Sequence, residues 1–269
     1  MKTLNGSELA YYIKERQAKA VRNLRQEHQI FPKLAIVQCK DDPIINTYVR
    51  LKKQYAADIL IDVDIHFVSQ DKIASLLQNL NSDEGVHGII VQLPLTDPSQ
   101  TDEIVNMVAP EKDVDALGKK SQFEPATPNA ILWLLSGYNV DLNGKKVLLI
   151  GRGKLVGAPL EKIFKNSGID AHVADRTTPD LKSQSLQSDV IITATGSPAV
   201  LTSDMIKQGA VVVDAGVASE SGKTVGDLAP DVYEREDLTI TPQKGGVGPL
   251  TVCALFENVI RAARSKING

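Results

Sequence analysis

Short apolar runs that alternate with longer stretches of helical periodicity constrain this chain more than any other feature of its sequence. Most of these runs are rich in Val and Ile and nearly free of polar residues, which is typical of parallel strands buried on both faces. We predict strands at residues 33–38, 62–67, 88–92, 146–150, 170–174, 190–193, 210–214 and 238–241. We predict helices at residues 7–29, 46–58, 72–81, 129–137, 155–166, 203–207 and 249–265. The alternation predicts an α/β fold whose parallel sheets are covered by helices.

A cluster of turn residues near the middle of the chain marks the predicted domain boundary. It reads Phe-Glu-Pro-Ala-Thr-Pro over residues 123–128. The last helix follows a glycine-rich loop and lies beyond the last strand of the second half, so it could pack back on the first domain. We therefore predict one domain from residues 1–124 plus 252–269 and a second domain from residues 125–251.

Charge and hydropathy exclude several classes of partner. The formal net charge of −3 gives no basic surface for nucleic acid or for an anionic membrane, so neither is expected. No apolar run reaches the roughly 18 residues that a membrane-spanning helix needs. The first residues lead into a charged amphipathic stretch and lack a secretory apolar core, so we expect a cytoplasmic location.

The cysteines and histidines show no metal-binding pattern. Cys39 and Cys253 lie far apart and outside any CxxC pair, so reduced thiols packed as small apolar groups are expected. The four histidines lack ligand spacing such as HxxxH, and we expect no metal site. They are His28, His66, His87 and His172.

A glycine turn follows the predicted strand at residues 146–150. Residues 151–157 read Gly-Arg-Gly-Lys-Leu-Val-Gly and open a predicted helix. Gly151 and Gly153 would let backbone N–H groups approach a pyrophosphate, which the positive end of the helix would also attract. A tight turn without a ligand is the alternative, but strand, turn, helix and second strand together favour a dinucleotide site.

Asp175 stands at the end of the second predicted strand of this unit, where a Rossmann fold meets the adenosine ribose. A carboxylate there accepts hydrogen bonds from the 2′-hydroxyl and repels a 2′-phosphate, so Asp175 favours NAD. Arg176 and Arg152 could instead pair with a 2′-phosphate, which leaves NADP open. Asp175 could also be a solvated turn residue without a ligand.

Tyr48 and Lys52 lie four residues apart in a predicted helix and therefore share one face. A core tyrosine beside a solvated lysine is the common explanation of such a pair. Short-chain dehydrogenases use the same spacing, but they place the glycine turn before the pair and within one domain. Here the pair precedes the turn, so the order of the two disfavours a short-chain dehydrogenase.

Three further segments carry candidate polar groups. Gln92 closes a predicted strand, at the end of the sheet where open α/β folds bind ligands. Asp115 lies in a loop, where a carboxylate could be solvated or could accept two adjacent N–H groups of an aminopyrimidinone. Residues 245–251 form a glycine loop that opens a helix, and it could either start the helix or let a flat ligand approach.

Together these segments resemble the bifunctional methylenetetrahydrofolate dehydrogenase/methenyltetrahydrofolate cyclohydrolase family. The resemblance covers nearly the whole chain in the order of the family. It is carried by Tyr48-xxx-Lys52, Val-Gln-Leu-Pro-Leu at 91–95, Lys-Asp-Val-Asp at 112–115, Thr-Pro at 127–128, Gly-Arg at 151–152, Val-Gly at 156–157, Pro159, Gly-Ser-Pro at 196–198, Asp-Ala-Gly at 214–216 and Gly-Gly-Val-Gly-Pro-Leu-Thr at 245–251.

The resemblance implies two α/β domains that flank a cleft, the second of them Rossmann-like, and a homodimer formed through the nucleotide domains. It implies an NAD- or NADP-dependent enzyme; NADP is usual in the family. One step would move a hydride from 5,10-methylenetetrahydrofolate to the nicotinamide. The other would add water to the 5,10-methenyl cation and open it to 10-formyltetrahydrofolate.

Roles for individual residues follow from the same resemblance. Lys52 would be the general acid/base, Gln92 would orient it, Tyr48 would stack on or position the folate, and Asp115 would hold the pterin edge. Further substrate contacts would come from Val91, Leu93, Gly245, Gly248 and Pro249. The cofactor would be bound by Gly151, Arg152, Gly153, Asp175, Arg176 and Val217.

The sequence departs from the family pattern at several of these places. A family serine is Ile45 here, a second serine is Gly153, and a His-Ser pair is Ala174-Asp175. On the folate side a Val-Pro pair is Gln243-Lys244, a glycine is Ala116, and residues 115–125 form a shorter segment than usual.

These departures leave two alternatives to the bifunctional enzyme. The chain could be mainly an NAD-preferring dehydrogenase with weak cyclohydrolase activity, or a non-catalytic nucleotide-binding descendant. An amino-acid or malate-type dehydrogenase fits the order of the domains but does not explain the motifs at 91–95 and 245–251.

Overall fold

The structure is a computed structural model that describes residues 1–220 and 223–268. Its strands are β1 (Lys2–Thr3), β2 (Lys33–Gln38), β3 (Asp62–Phe67), β4 (Gly88–Val91), β5 (Val147–Ile150), β6 (Ala171–Ala174), β7 (Val190–Thr193), β8 (Val211–Asp214), β9 (Ala218–Glu220), β10 (Lys223–Val225) and β11 (Thr239–Ile240). Its α-helices are α1 (Gly6–Glu27), α2 (Pro43–Asp58), α3 (Ile73–Ser82), α4 (Thr101–Val105), α5 (Ala126–Gly137), α6 (Gly157–Asn166), α7 (Leu181–Leu186) and α8 (Val247–Arg264).

The chain divides into two compact units. The small-sheet unit comprises Tyr11–Ala126 and Val252–Gly269, and the large-sheet unit comprises Met1–Ala10 and Thr127–Thr251. The helices α1, α5 and α8 each contribute residues to both units.

The small-sheet unit is built on three parallel strands in the order β3-β2-β4. The central strand β2 is buried along almost its whole length, as its run of Leu, Ala, Ile and Val requires. Helix α3 buries Ile73, Leu77 and Leu80, spaced at i, i+4 and i+7, and these residues pack with Ile89 and Val91 of β4.

Helix α8 completes the small-sheet unit through its residues from Val252 onward. Tyr55 stacks on Phe256 with 5.2 Å between ring centroids, and the Tyr55 hydroxyl donates to Oε1 of Gln17 across 2.7 Å. Gln17 in turn donates from Nε2 to the Cys253 carbonyl across 2.8 Å. These contacts join α1, α2 and α8 in one unit, as predicted for the last helix.

The large-sheet unit is built on six strands in the order β1-β11-β8-β7-β5-β6, all of them paired in parallel. Strands β5 and β7 are buried throughout. From β5 the chain first adds β6 on one side and then β7 and β8 on the other. The strand order therefore reverses at β5, and open sheets of this kind bind ligands at the carboxyl ends of the strands beside such a reversal.

The predicted α/β class with parallel sheets is confirmed, and every predicted strand is present within one residue of its predicted ends. Residues 203–207 form a 3-10 helix over Ser203–Met205 rather than a longer helix. The short strand β1, the helices α4 and α7, and the antiparallel pair β9–β10 were not predicted. Within the described residues, none of the helices is long and apolar enough to span a membrane.

The first ten residues differ from the predicted domain bounds. We predicted them with residues 11–124, whereas the structure groups them with Thr127–Thr251. The physical reason is backbone pairing, because β1 adds to the edge strand β11 of the six-stranded sheet. The Lys2 amide donates to the Leu238 carbonyl across 2.9 Å, and the Leu4 amide donates to the Ile240 carbonyl across 2.8 Å.

Candidate functional site

Lys52 and Gln92 meet at the carboxyl end of the small sheet. Helix α2 begins at Pro43 and is capped by Asp42, whose Oδ1 accepts from the Ile44 amide across 2.9 Å. The Lys52 ammonium donates from Nζ to Oε1 of Gln92 across 2.9 Å. The Gln92 amide nitrogen donates to the Leu93 carbonyl across 3.1 Å, which leaves its oxygen directed at the lysine. The predicted lysine–glutamine pair is therefore a direct contact.

Asp115 lies near enough to Lys52 to affect its ionisation. Burial lowers the pKa of Lys52 from its ordinary value, and the negative charge of Asp115 opposes this shift. Burial raises the pKa of Asp115, and the charge of Lys52 opposes that shift. A primary amine, a carboxamide and a carboxyl group from three separate segments thus come together in the small-sheet unit. Ionisable groups with shifted pKa values that lie close together are typical of sites that transfer protons.

Apolar surface surrounds this polar group. Tyr48 lies one helical turn before Lys52, the residue is 38% exposed, and partial burial raises the pKa of its hydroxyl. Val91 is buried, whereas Leu93 is half-buried next to Gln92. Ile45, which stands where the family has serine, is buried in α2 and presents no hydroxyl group.

The loop that carries Asp115 is held by residues that sequence reasoning missed. Asp113 is buried, and its carboxylate accepts from the Gly118 amide across 2.8 Å. Ser121 donates from its hydroxyl to the Asp113 carbonyl across 2.8 Å. From α8, the Asn258 amide donates to the Val114 carbonyl across 2.9 Å. The Lys-Asp-Val-Asp motif marks Asp113, whereas no local pattern marks Asn258.

In the large-sheet unit, the glycine turn after β5 is tightly built. Gly151 has a φ of +112°, and a Cβ there would lie 2.5 Å from the Ala194 carbonyl oxygen. A Cβ at Gly157, the first residue of α6, would lie 2.0 Å from the Gly151 carbonyl oxygen. At Gly153, by contrast, the nearest atom to a Cβ would be 3.9 Å away. The turn therefore requires two glycines for packing and leaves open backbone at the third, which fits a dinucleotide phosphate.

Asp175 directly follows β6 and is ionised. Its Oδ1 accepts from the Thr177 amide across 2.8 Å and from the Thr177 hydroxyl across 2.6 Å. These hydrogen bonds hold the pKa of Asp175 below its ordinary value. Arg152 forms an ion pair with Glu161 at 3.4 Å, and Arg176 is exposed. The contacts of Asp175 are those of a turn residue, as one of the two predictions has it. Its position at the end of β6 is also the position of a ribose-binding carboxylate, so the other prediction is still open.

The remaining predicted ligand residues also belong to the large-sheet unit. Val217 follows β8 and is 57% exposed. Gly245 has a φ of +85° and accepts from the Ser7 amide across 2.9 Å. A Cβ at Gly248 would meet no atom within 4 Å, so this backbone is open to an approaching group, and Pro249 follows it within α8.

Comparison with known proteins matches both halves of the chain to one family. Residues 4–115 match the catalytic domain of tetrahydrofolate dehydrogenase/cyclohydrolase, and residues 125–267 match its NAD(P)-binding domain. The chain belongs to the tetrahydrofolate dehydrogenase/cyclohydrolase family. The bifunctional protein FolD of Campylobacter jejuni is 36% identical over 100% of both chains. That of Exiguobacterium sibiricum is 36% identical over 97% of this chain and 99% of its own length.

Solved structures of the family have the same fold. The crystal structure of the Campylobacter jejuni enzyme superposes with a TM-score of 0.92 at 35% identity and covers 99% of both chains. The Trypanosoma brucei methylenetetrahydrofolate dehydrogenase-cyclohydrolase, complexed with NADP and an inhibitor, gives a TM-score of 0.92 at 29% identity. It covers 99% of this chain and 98% of its own.

These matches confirm the predicted family, the bifunctional dehydrogenase/cyclohydrolase class and its nicotinamide cofactor. The choice between NAD and NADP, the homodimer and the role of each site residue stay predictions.

Proposed function

We propose that this family member catalyses both steps with the groups described above, and that Lys52 carries the proton transfers of the hydrolytic step. The observation that carries the proposal is the contact between Lys52 and Gln92 beside Asp115, with burial lowering the pKa of the lysine. A lysine whose pKa is lowered gives up its proton more readily than an exposed lysine does, so more of it is in the neutral form that can act as a base.

In hydrolysis, water adds to the carbon that bridges N5 and N10 of 5,10-methenyltetrahydrofolate, and neutral Lys52 takes the proton that the water loses. The bond from this carbon to N5 then breaks as the Lys52 ammonium returns its proton to N5. The hydroxyl group on the carbon loses its remaining proton to bulk water as it becomes the formyl C=O, so the methenyl cation and water give 10-formyltetrahydrofolate and one H+. Gln92 holds the amine in place, since its oxygen accepts one N–H of the lysine. The positive charge of the methenyl substrate further favours the neutral amine.

Asp115 and the surrounding apolar residues serve the folate. An ionised carboxylate accepts two adjacent N–H groups of the pterin, which is a bidentate pairing. Tyr48 provides a partly exposed ring for stacking, and Val91 and Leu93 provide apolar contact. On the large-sheet unit, we propose that Gly245, Gly248 and Pro249 offer a backbone surface to the substrate.

We propose that NAD is preferred over NADP. When bound, the nicotinamide ring accepts the hydride released from 5,10-methylenetetrahydrofolate. The residues that would hold the dinucleotide are Gly151, Arg152, Gly153, Asp175, Arg176 and Val217. The ionised state of Asp175 supports the preference for NAD, because a carboxylate repels a 2′-phosphate.

We also propose a homodimer formed through the large-sheet unit. Strand β6 lies at the edge of the six-stranded sheet, and no strand among the described residues pairs with its outer side. Light scattering coupled to gel filtration tests this, since a dimer has twice the mass of the 29.1 kDa chain.

A paired assay tests the proposed activities. The purified protein is mixed with 5,10-methylenetetrahydrofolate and either NAD or NADP, and reduced cofactor is followed by absorbance. In a second cuvette, 5,10-methenyltetrahydrofolate alone is followed as it disappears, with the enzyme-free rate subtracted. We expect turnover in both assays and a larger kcat/KM with NAD. Absence of turnover with either cofactor would overturn the dehydrogenase, and a hydrolysis rate equal to the enzyme-free rate would favour a dehydrogenase alone.

A further inference from the structure

We propose that two buried carboxylates, Asp227 and Asp214, are positioning residues that shape the nicotinamide half of the dinucleotide site. The inference rests on the proposed binding of a dinucleotide to the large-sheet unit. Neither residue belongs to the glycine turn or to the end of β6 where the adenosine ribose is expected.

Asp227 holds the loop that follows β7. It is completely buried. Its Oδ2 accepts from the Thr195 amide across 2.7 Å, and its Oδ1 accepts from the Ser197 amide across 3.0 Å. A Cβ at Gly216 would lie 2.0 Å from Oδ1 of Asp227, so the backbone after β8 also approaches this carboxylate closely. One side chain therefore contacts the loops after both strands.

Asp214 makes a second junction at the end of β8. Its Oδ1 accepts from the Thr193 hydroxyl across 3.1 Å and from the Gly216 amide across 2.9 Å. Its Oδ2 accepts from the Asp227 amide across 3.0 Å. A Cβ at Gly226 would lie 2.0 Å from this oxygen. The two carboxylates thus connect the ends of β7 and β8 to the segment before Leu228.

The loops after β7 and β8 lie where the nicotinamide half of a dinucleotide is expected. A dinucleotide lies across the reversal in strand order, with its adenosine ribose at the end of β6. The other nucleotide half then faces the ends of β7 and β8. Val217 and Gly196 are in these loops, and a Cβ at Gly196 would lie 3.2 Å from the Val217 carbonyl oxygen.

A neutral amide cannot replace a carboxylate here. Asp227 accepts two backbone N–H groups, one on each oxygen, whereas asparagine has one accepting oxygen and a donating nitrogen. In Asp227→Asn, the amide of either Thr195 or Ser197 would therefore face the donating nitrogen of the asparagine. Hydrogen bonds to a charged acceptor stabilise by about 1.5–3 kcal/mol, which corresponds to roughly 10- to 100-fold in an equilibrium. We therefore expect Asp227→Asn to displace the loop after β7 while the end of β6 keeps its shape.

The test measures the two halves of the dinucleotide separately. Asp227→Asn should raise the KM for NAD and for NADP by the same factor, about tenfold or more. The inhibition constant of 5′-AMP, which contains only the adenosine half, should stay within about twofold of wild type. The rate of methenyl hydrolysis, which uses Lys52 of the small-sheet unit, should also stay within about twofold.

Asp237→Asn is the matched control. Asp237 accepts from the Gly209 amide across 2.9 Å and pairs with Arg235, so it too is a carboxylate that holds a loop. Gly209 precedes β8 and lies at the opposite, amino end of the sheet. This variant should lower thermal stability without changing the KM for either dinucleotide.

A milder variant keeps the test possible if Asp227→Asn does not fold. Thr193→Val removes one donor to Asp214 and keeps the shape of a buried side chain, so the KM for both dinucleotides should rise by about two- to fivefold. An unchanged KM in both Asp227→Asn and Thr193→Val would overturn the inference. So would a parallel loss of 5′-AMP affinity in Thr193→Val, because that is the result of a general structural role. Wild-type protein without dehydrogenase turnover would instead overturn the proposed function itself.

Discussion

Lys52 donates a hydrogen bond from Nζ to Oε1 of Gln92 across 2.9 Å, and this contact joins helix α2 to the end of strand β4. The amide oxygen accepts one N–H of the lysine and has no proton to donate to the lysine nitrogen. When the amine is neutral, its lone pair is therefore free for a proton that comes from another direction. Removal of Gln92 would leave the amine buried but without this orientation.

The first prediction concerns the pH dependence of hydrolysis. The neutral form of Lys52 acts as the base, so kcat/KM for methenyl hydrolysis should rise with pH through the lowered pKa of this lysine. The charge of Asp115 raises the pKa of Lys52. Asp115→Asn should therefore move the rising limb of the profile to lower pH, even though binding of the folate weakens. A limb that moves to higher pH would show that Asp115 does not act on Lys52.

The second prediction concerns the choice of cofactor. Asp175→Ser removes a negative charge from the end of β6, and a serine can still accept from the Thr177 amide. The ratio of kcat/KM for NAD to that for NADP should fall by roughly tenfold, because like-charge repulsion of the 2′-phosphate is lost. Steady-state kinetics with both cofactors measures this ratio. Asp237→Asn, which removes a carboxylate from the opposite, amino end of the same sheet, is the control for a general change of charge. An unchanged ratio in Asp175→Ser would place Asp175 away from the ribose.

The third prediction concerns stability and pH. Burial is the main cause that raises the pKa of Asp113 to about 6, above its ordinary value of 3.8. The folded state therefore binds this proton more tightly than the unfolded state does. The resulting stability is fully present below pH 3.8 and is lost as the pH rises through about 6. Asp113→Asn should remove this part of the slope, which amounts to about 2–3 kcal/mol at most.

Urea unfolding between pH 4 and pH 7 measures the slope of the third prediction, and the comparison of the two proteins isolates Asp113. This comparison is necessary because burial also raises the pKa of Asp115 and Asp214, which contribute slopes of the same sign. Identical slopes in wild type and Asp113→Asn would contradict the prediction.

The fourth prediction concerns Ala116, which stands where the family has glycine. Its φ of +56° lies in the left-handed region, where a Cβ is strained. Ala116→Gly should raise the free energy of unfolding by about 1 kcal/mol, since relief of strain exceeds the greater entropy of glycine in the unfolded chain. Ala18→Gly, within helix α1, should lower it by a similar amount of about 1 kcal/mol. The same sign for both substitutions would show that Ala116 is not strained.

Much of the fold could be predicted because the buried strands carry their own pattern. The run Val-Leu-Leu-Ile of β5 is apolar on both faces, and it is bounded by Lys146 and Gly151. The two-residue strand β1 has no such pattern, because Lys2 and Thr3 are exposed and their pairing with β11 depends on residues more than 200 positions away. Helix α7 was missed for a related reason, since its sequence Leu-Lys-Ser-Gln-Ser-Leu is mostly polar.

Some residues of the candidate sites could likewise be predicted from the sequence, and others could not. Lys52, Gln92 and Asp115 could be selected by residue type and place, and the structure brings these three together. Asp227 and Asn258 could not, because each acts on backbone groups that are distant in sequence. Asn258, for example, reaches the Val114 carbonyl across 144 positions of the chain. Sequence patterns reveal groups that face a ligand more readily than groups that hold a loop.

The most direct test of the central claim is the rate at which 5,10-methenyltetrahydrofolate is hydrolysed by wild type, Lys52→Gln and Lys53→Gln, each corrected for the enzyme-free rate. Lys53 is the exposed neighbour of Lys52 on the same helix, so its variant controls for the loss of one positive charge. We expect Lys52→Gln to lose about a hundredfold or more of the rate, as removal of a general acid/base does, and Lys53→Gln to lose none. Hydrolysis by Lys52→Gln at the wild-type rate would contradict the account.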